Sequence, residues 1–329
     1  MTELDVRTTP AEELDESTQS VTQGERWLKL LDRLNDLSIT KHFDAYVDVP
    51  WDDPAYALDP TDPRWELDPG LDPLGATEWY RNLPQADRAR LGCELVASKM
   101  KIGLVFENIL KRGLLEFALT LPNGSPEFRY AYHEVIEEAQ HSLMFQEFVN
   151  RSGYDAPGLG KRELMSTRRI VALGRRFPQL FFLFVLGGED PIDYVQRREL
   201  RSEREIHPLL ERIMRIHVTE EARHLSFARH YLKRTVPTLS PWHRMRLAIG
   251  APVILGSMAQ LMLKPAPDLV ERYAIPADVL EAAYTKNPEY KRETVASLGK
   301  VRKLCVELGL VRWPFTVIWR KLGLDPRTV

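Results

Sequence analysis

Apolar residues recur at three- and four-residue spacing through most of this chain, and no stretch alternates as a half-buried strand would. The pattern predicts a short amphipathic helix over residues 25–37. A long helix is predicted from 85 to about 121, where Pro122-Asn123-Gly124 stops it. Ser125-Pro126-Glu127 opens the next, which runs to about 151 and ends at Ser152-Gly153. A third begins near 160 and continues through the apolar run 180–186, with Pro191 expected to kink or break it. A fourth covers about 208–233. Further helices are expected over 247–263, 277–284, 292–308 and 314–321, separated by prolines. Residues 1–23 lack periodicity and read as a disordered lead-in. Residues 49–75 are crowded with Pro and Asp and read as an irregular segment, pinned to the helices by Trp51 and Trp65. The expectation is an all-α chain in four parts: 1–23, an N-terminal helix with the irregular segment over 24–84, a four-helix bundle over 85–236, and a helical extension over 237–329.

Composition narrows the function classes. Lys+Arg number 45 against 47 for Asp+Glu, a formal charge of -2, so neither nucleic acid nor an anionic membrane surface is expected as a partner. Cys93 and Cys305 stand far apart with no CxxC spacing, which speaks against disulfides and thiolate metal sites and for a reducing, cytoplasmic compartment. The first residues show no charged-then-apolar leader pattern, so no signal peptide is expected. The apolar stretch 247–263 contains Pro252, Ser257 and Gln260 and falls short of the roughly 20 residues of a spanning helix. It reads as a buried or subunit-interface helix.

The chemistry sits in two near-copies of one motif. Glu137-Glu138-Ala139-Gln140-His141 is followed 83 positions later by Glu220-Glu221-Ala222-Arg223-His224. On a helix, positions three apart lie about 60° from each other, so Glu138 with His141, and Glu221 with His224, can each turn a carboxylate and an imidazole to one metal. Glu107 precedes Glu138 by 31 residues and Glu189 precedes Glu221 by 32, each on its own apolar stretch. An unpaired carboxylate there would cost several kcal/mol, roughly 2–7 even for a neutral polar group, and metal coordination offsets it. His217, four residues before Glu221, adds a third imidazole. The candidate ligands are therefore Glu107, Glu138, His141, Glu189, His217, Glu221 and His224, the pattern of a two-metal carboxylate bundle.

Several neighbours compete. Asp190 rivals Glu189, because it lies 83 residues after Glu107, the repeat offset. Glu134 holds in the first copy the place of His217 in the second. Glu137 and Glu220 read as solvated or as supports for the ligands, and Asp193 as the carboxylate behind a ligand histidine. His133, His207 and His230 read as structural; His42 and His243 give no signal. In a purely structural reading, the histidines are satisfied core residues and the glutamates form ion pairs.

The order Glu107, Glu138-x-x-His141, Glu189, His217, Glu221-x-x-His224 resembles the p-aminobenzoate N-oxygenase family of arylamine oxygenases, over roughly residues 90–235. The histidine four residues before the second Glu-x-x-His sets the pattern apart from ribonucleotide reductase small subunits, acyl-carrier desaturases and ferritins. The resemblance implies a ferritin-like four-helix bundle with additional N- and C-terminal helices, two iron ions as cofactor, and a homodimer. It implies that dioxygen is activated and its oxygen passed to an amine nitrogen of a small-molecule substrate, with His217 tuning the oxidant. Mixed oxygen and nitrogen donors suit iron, or manganese at one or both positions, better than zinc. No GxGxxG motif in a βαβ setting occurs, so the electron donor should be a separate protein. Phe106, Phe181, Phe182 and Phe184 could line a substrate pocket or simply fill the core. The same centre could instead hydroxylate or desaturate C–H bonds. A metal-storage or redox-scavenging bundle of ferritin type fits less well, given the segment 49–75 and about 90 residues beyond the bundle.

Overall fold

A computed structural model describes residues 22–324 apart from residue 263, and among these it contains helices and turns but no strand. The expected disordered lead-in, 1–23, falls almost wholly outside the described residues. Helix α1 (Gln23–Thr40) opens with a reciprocal cap: Glu25 N–H donates to Thr22 Oγ1 at 3.2 Å, and Thr22 N–H to Glu25 Oε2 at 2.8 Å.

Three single-turn 3-10 helices punctuate the Pro/Asp-rich segment, at Pro54–Tyr56, Pro63–Trp65 and Pro73–Ala76. Each begins with an Asp whose side chain accepts from the backbone N–H two residues on, with Pro in its first turn. Trp51 and Trp65 are buried as expected. Trp65 stacks on His207 at 4.4 Å between centroids and meets Phe148 edge-on at 5.7 Å. Gly92 lets the Trp65 carbonyl lie against the next long helix, where any Cβ would collide with backbone.

After the short α2 (Glu78–Arg81), four long helices form the bundle: α3 (Gln85–Ala118), α4 (Pro126–Ser152), α6 (Pro178–Glu199) and α7 (Pro208–Thr235). Helix α4 starts on Pro126 and ends at Gly153, whose φ of 69° is a left-handed stop. α7 starts on Pro208, with His207 accepting from Leu209 N–H, which makes His207 structural as expected. α3 packs along α4 and α6 along α7, and α5 (Lys161–Arg176) lies against α3 and α6.

Within the bundle, two boundaries differ from expectation. The third helix is broken not at Pro191 but at Phe177, whose extended φ of -156° separates α5 from α6 ahead of Pro178. α6 runs straight through Pro191, which is buried together with the apolar run before it. Packing on both sides of the proline outweighs the one backbone bond it cannot make.

Beyond the bundle come α8 (Pro241–Met262), α9 (Pro267–Arg272), α10 (Ala277–Leu280) with a π turn at Glu281–Thr285, α11 (Pro288–Ser297), α12 (Gly299–Glu307) and α13 (Thr316–Lys321). The single helix expected over 292–308 is thus two. α8 buries Leu247, Ala248, Ala251 and Leu255 against α6 and leaves Ile249 and Val253 exposed. No helix among the described residues is long and apolar enough to cross a membrane. Cys93 and Cys305 are buried and unbridged. The chain is all-α, a ferritin-like bundle with added helices at both ends.

Candidate metal centre

The middle of the bundle is charged where a core should be apolar. Glu107 from α3, Glu138 and His141 from α4, Glu189 from α6, and His217, Glu221 and His224 from α7 are all at most 2% exposed. The helical period explains the delivery: Glu138 and His141 share one face of α4, and His217, Glu221 and His224 one face of α7. The structure brings all seven together in overlapping groups. Glu107, His141 and His217 present atoms within 4.8 Å of one another, as do Glu138, His141 and Glu221, and Glu189, His217 and Glu221.

The spacing suits intervening cations. Around His141 Nδ1 stand Glu138 Oε2 at 3.4 Å, Glu221 Oε1 at 3.7 Å and Glu107 Oε1 at 3.9 Å. His217 Nε2 lies 3.6 Å from Glu107 Oε1 and 3.9 Å from Glu221 Oε1. These gaps exceed good hydrogen bonds. Ligands each about 2 Å from one cation sit about 3–4 Å apart. Glu138 reaches both motif histidines, with Oε1 3.0 Å from His224 Nδ1, and Glu221 Oε1 is likewise 3.0 Å from that atom. Deep in the group, Glu107 Oε2 and Glu221 Oε2 have no hydrogen-bond partner. Buried carboxylate oxygens left so are costly in a finished core and natural in a metal site.

The second atoms of the histidines are held from behind, and crosswise. His141 Nε2 lies 2.9 Å from Glu220 Oε2, across from α7, while His224 Nε2 lies 2.7 Å from Glu137 Oε2, across from α4. The first Glu of each motif thus serves the histidine of the other. Glu137 and Glu220 are buried rather than solvated. Arg223 joins them, its Nη2 2.7 Å from Glu137 Oε1 and 3.4 Å from Glu220 Oε1. Burial pushes the Glu137 carboxyl up, but the His224 hydrogen bond and charge and the Arg223 guanidinium outweigh it and hold the group at about 2.

For His217 the supporting residue is Gln196, whose Oε1 lies 2.9 Å from Nδ1 and leaves Nε2 facing the other candidates. Asp193, expected behind a histidine, instead pairs with Arg197 and with Lys300 at 3.3 Å. The physical reason is the direction of its α6 face, which turns toward the C-terminal helices. Asp190 is likewise turned away and ion-paired with Arg229, whereas Glu189 faces the group. Glu134 joins it too: Glu134, Glu138 and His224 lie within 4.8 Å. Burial, ahead of the charges around it, pushes the Glu134 carboxyl up to about 7. His133 is half-buried, and His230 is exposed and bonded to the Ser226 carbonyl at 2.8 Å; neither enters the group.

Burial and mutual charge shift the titration of the grouped side chains in opposite directions. Burial, then repulsion from Glu221 and Glu138, pushes the Glu189 carboxyl well above its ordinary range. Burial and the neighbouring His141 charge push His217 down to about 4, so its imidazole is neutral. Burial would also push His141 and His224 down, but the surrounding carboxylates reverse the sign and raise both. Two dications would take over the carboxylate charge that those protons now balance.

A cavity of about 120 Å³ opens onto one side of the group, at Glu107, Glu189 and His217. Its walls are mainly apolar, including Met100, Phe106, Phe145, Ile192, Leu210 and Met214, with Lys99 and Glu199 also lining it. Phe106 is therefore a cavity residue. Phe181, Phe182 and Phe184 belong to the buried core, where Phe182 meets Phe117 and Phe227 edge-on at 5.1 and 5.5 Å. Any side chain at Gly188 would collide with the Phe106 ring.

Comparison with known proteins gives one family match, described as P-aminobenzoate N-oxygenase AurF, over residues 26–309. Uncharacterized proteins of Mycobacterium tuberculosis and Mycobacterium bovis are 36% identical to this chain over 305 residues, 93% of this chain and 89% of theirs. No solved structure matches the chain significantly.

Proposed function

The chain belongs to the p-aminobenzoate N-oxygenase family, and we propose that it is a di-iron oxygenase that oxidises the nitrogen of a small amine with dioxygen. The observation that carries this reading is the convergence of seven buried carboxylate and imidazole side chains from four helices beside an apolar cavity. Glu107, Glu138, His141, Glu189, His217, Glu221 and His224 would hold the two irons, with Glu138 and Glu221 lying among two or three histidines each. Two bound irons would supply the electrons and Lewis acidity that dioxygen activation requires.

The protein's own work is orientation and exclusion. Glu220, Glu137 and Gln196 each hold one nitrogen of a histidine and present the other inward. The apolar walls take the body of an amine and keep water from the reacting end. Glu107, Glu189 and His217, the three candidates exposed to the cavity, define where the nitrogen must arrive. A separate protein would deliver the electrons, since the chain carries no dinucleotide-binding signature.

The test is reconstitution with ferrous iron under nitrogen, followed by isotopically labelled dioxygen and a panel of arylamines. Labelled hydroxylamine, nitroso or nitro products are expected. Labelled alcohols from C–H substrates, with no labelled nitrogen product from any amine, would replace this reading with a hydroxylase.

A further inference from the structure

Helix α4 carries a buried phenol that the oxygenase reading leaves without a task. Tyr130 is fully buried, and its hydroxyl interacts with the Glu134 side chain without making a close, well-aligned hydrogen bond, which is uncommon for a tyrosine in a core. Phenylalanine would fill the space without desolvating a hydroxyl. One helical turn later stands Glu134, grouped with Glu138 and His224. Neither Tyr130, Glu134 nor His224 lines the cavity, so this is a different approach to the metal centre from the substrate's.

Rings lead outward from Tyr130. It packs on Phe227 at 4.5 Å between centroids, and Phe227 packs on Trp27 at 5.6 Å. Trp27 is 5% exposed, and its indole N–H donates to Glu127 Oε1 at 2.7 Å. Arg234 covers the indole face at 5.4 Å and pairs with Glu127 at 2.9 Å, its own side chain 45% exposed. Two oxidisable side chains, each beside a carboxylate, thus stand on either side of one phenyl ring between the metal centre and the surface.

We propose that Tyr130 and Trp27 form an electron-donating branch that drains oxidising equivalents from the metal centre when the cavity holds no substrate. The proposal rests on the dioxygen-activating reading above. Tyr130 gives one electron to the oxygen-activated irons and its phenolic proton to the Glu134 carboxylate, leaving a neutral tyrosyl radical. Trp27 then gives an electron to that radical across Phe227; Tyr130 recovers its proton from Glu134, and the indole proton passes to Glu127. A one-electron donor in solution, of the thiol or ascorbate class, restores Trp27, which takes its proton back. Burial, followed by the Glu134 charge, pushes the Tyr130 pKa well up, so the phenol stays protonated until it is oxidised.

The test mixes full-length, iron-loaded protein with dioxygen in the absence of amine and freezes samples for electron paramagnetic resonance. Optical spectra record that the irons have reacted. The wild type is expected to show an organic radical whose lines narrow when the protein carries ring-deuterated tyrosine. Tyr130→Phe is expected to lose the radical, and Trp27→Phe to lengthen its lifetime, with iron content unchanged in both. A radical that survives Tyr130→Phe, or none in wild type whose irons have reacted, overturns the branch and leaves the oxygenase reading standing. Protein that takes up no iron, or whose iron ignores dioxygen, overturns both. The deuterium label tests the assignment in the wild-type fold even if Tyr130→Phe folds poorly.

Discussion

His141 and Glu220 stand 79 positions apart in sequence and 2.9 Å apart in the bundle, and His224 and Glu137 repeat the relationship at 2.7 Å. Each histidine is thereby aimed by the opposite helix. Truncating Glu220 should free the His141 ring without touching the inward donors. Glu220→Ala is expected to weaken iron binding about 10- to 100-fold, with the helical signal retained. Calorimetric titration against wild type checks this; unchanged affinity would show that the crossed pairs do not orient the histidines.

Glu189 and Asp190 are adjacent but face different ways. Glu189→Gln should lower iron stoichiometry or affinity while leaving stability near that of wild type. Asp190→Asn should cost on the order of 1–3 kcal/mol of stability, because Arg229 loses its buried partner, and leave iron binding intact. Denaturant unfolding and elemental analysis on both variants separate the two residues. The reverse pattern would make Asp190 the ligand.

In the proposed ligand set, His217 makes one half of the centre richer in imidazole than the other. His217→Ala should preserve the fold, since the residue contributes one bond to Gln196 and otherwise faces the candidate ligands. Iron at that half, or turnover, should be lost; wild-type turnover would remove His217 from the ligand set.

Gly188→Ala should push the Phe106 ring into the cavity. The expected result is a KM for amine raised at least severalfold with iron content unchanged, read by steady-state kinetics and elemental analysis. Pairing it with Phe106→Ala, which gives the ring's space back, should restore KM.

Metal uptake should release protons. His141 is pushed up to about 10 and His224 well above its ordinary value, so near pH 7 they carry protons that iron must displace; Glu189 is shifted in the same direction. Affinity is therefore expected to rise with pH, about tenfold per unit for each obligatory proton. Iron titration in weakly buffered indicator solution checks the sign. A pH-independent affinity would mean that these groups are not where iron binds.

How much of this was legible in the chain depends on the range of the interaction. Glu138 with His141, and Glu221 with His224, follow from the helical period, a local rule, and the structure sets each pair side by side as that period implies. The choice of Gln196 over Asp193 behind His217 was not legible, since it depends on how α6 and α7 cross and on Lys300 arriving from the C-terminal helices. The crossed roles of Glu137 and Glu220 left a trace, the doubled glutamate in both motifs, but only the packing of α4 on α7 reveals which histidine each serves. Pro191 misled because the proline rule is local, while buried packing along α6 is not.

The central claim is that Glu107, Glu138, His141, Glu189, His217, Glu221 and His224 together hold a pair of irons. The most direct measurement is iron content per chain after anaerobic reconstitution and desalting, in wild type and in Glu138→Ala/Glu221→Ala. The account predicts two irons per wild-type chain and none in the double variant. Wild-type protein that retains no iron, or a double variant that retains as much, would contradict it.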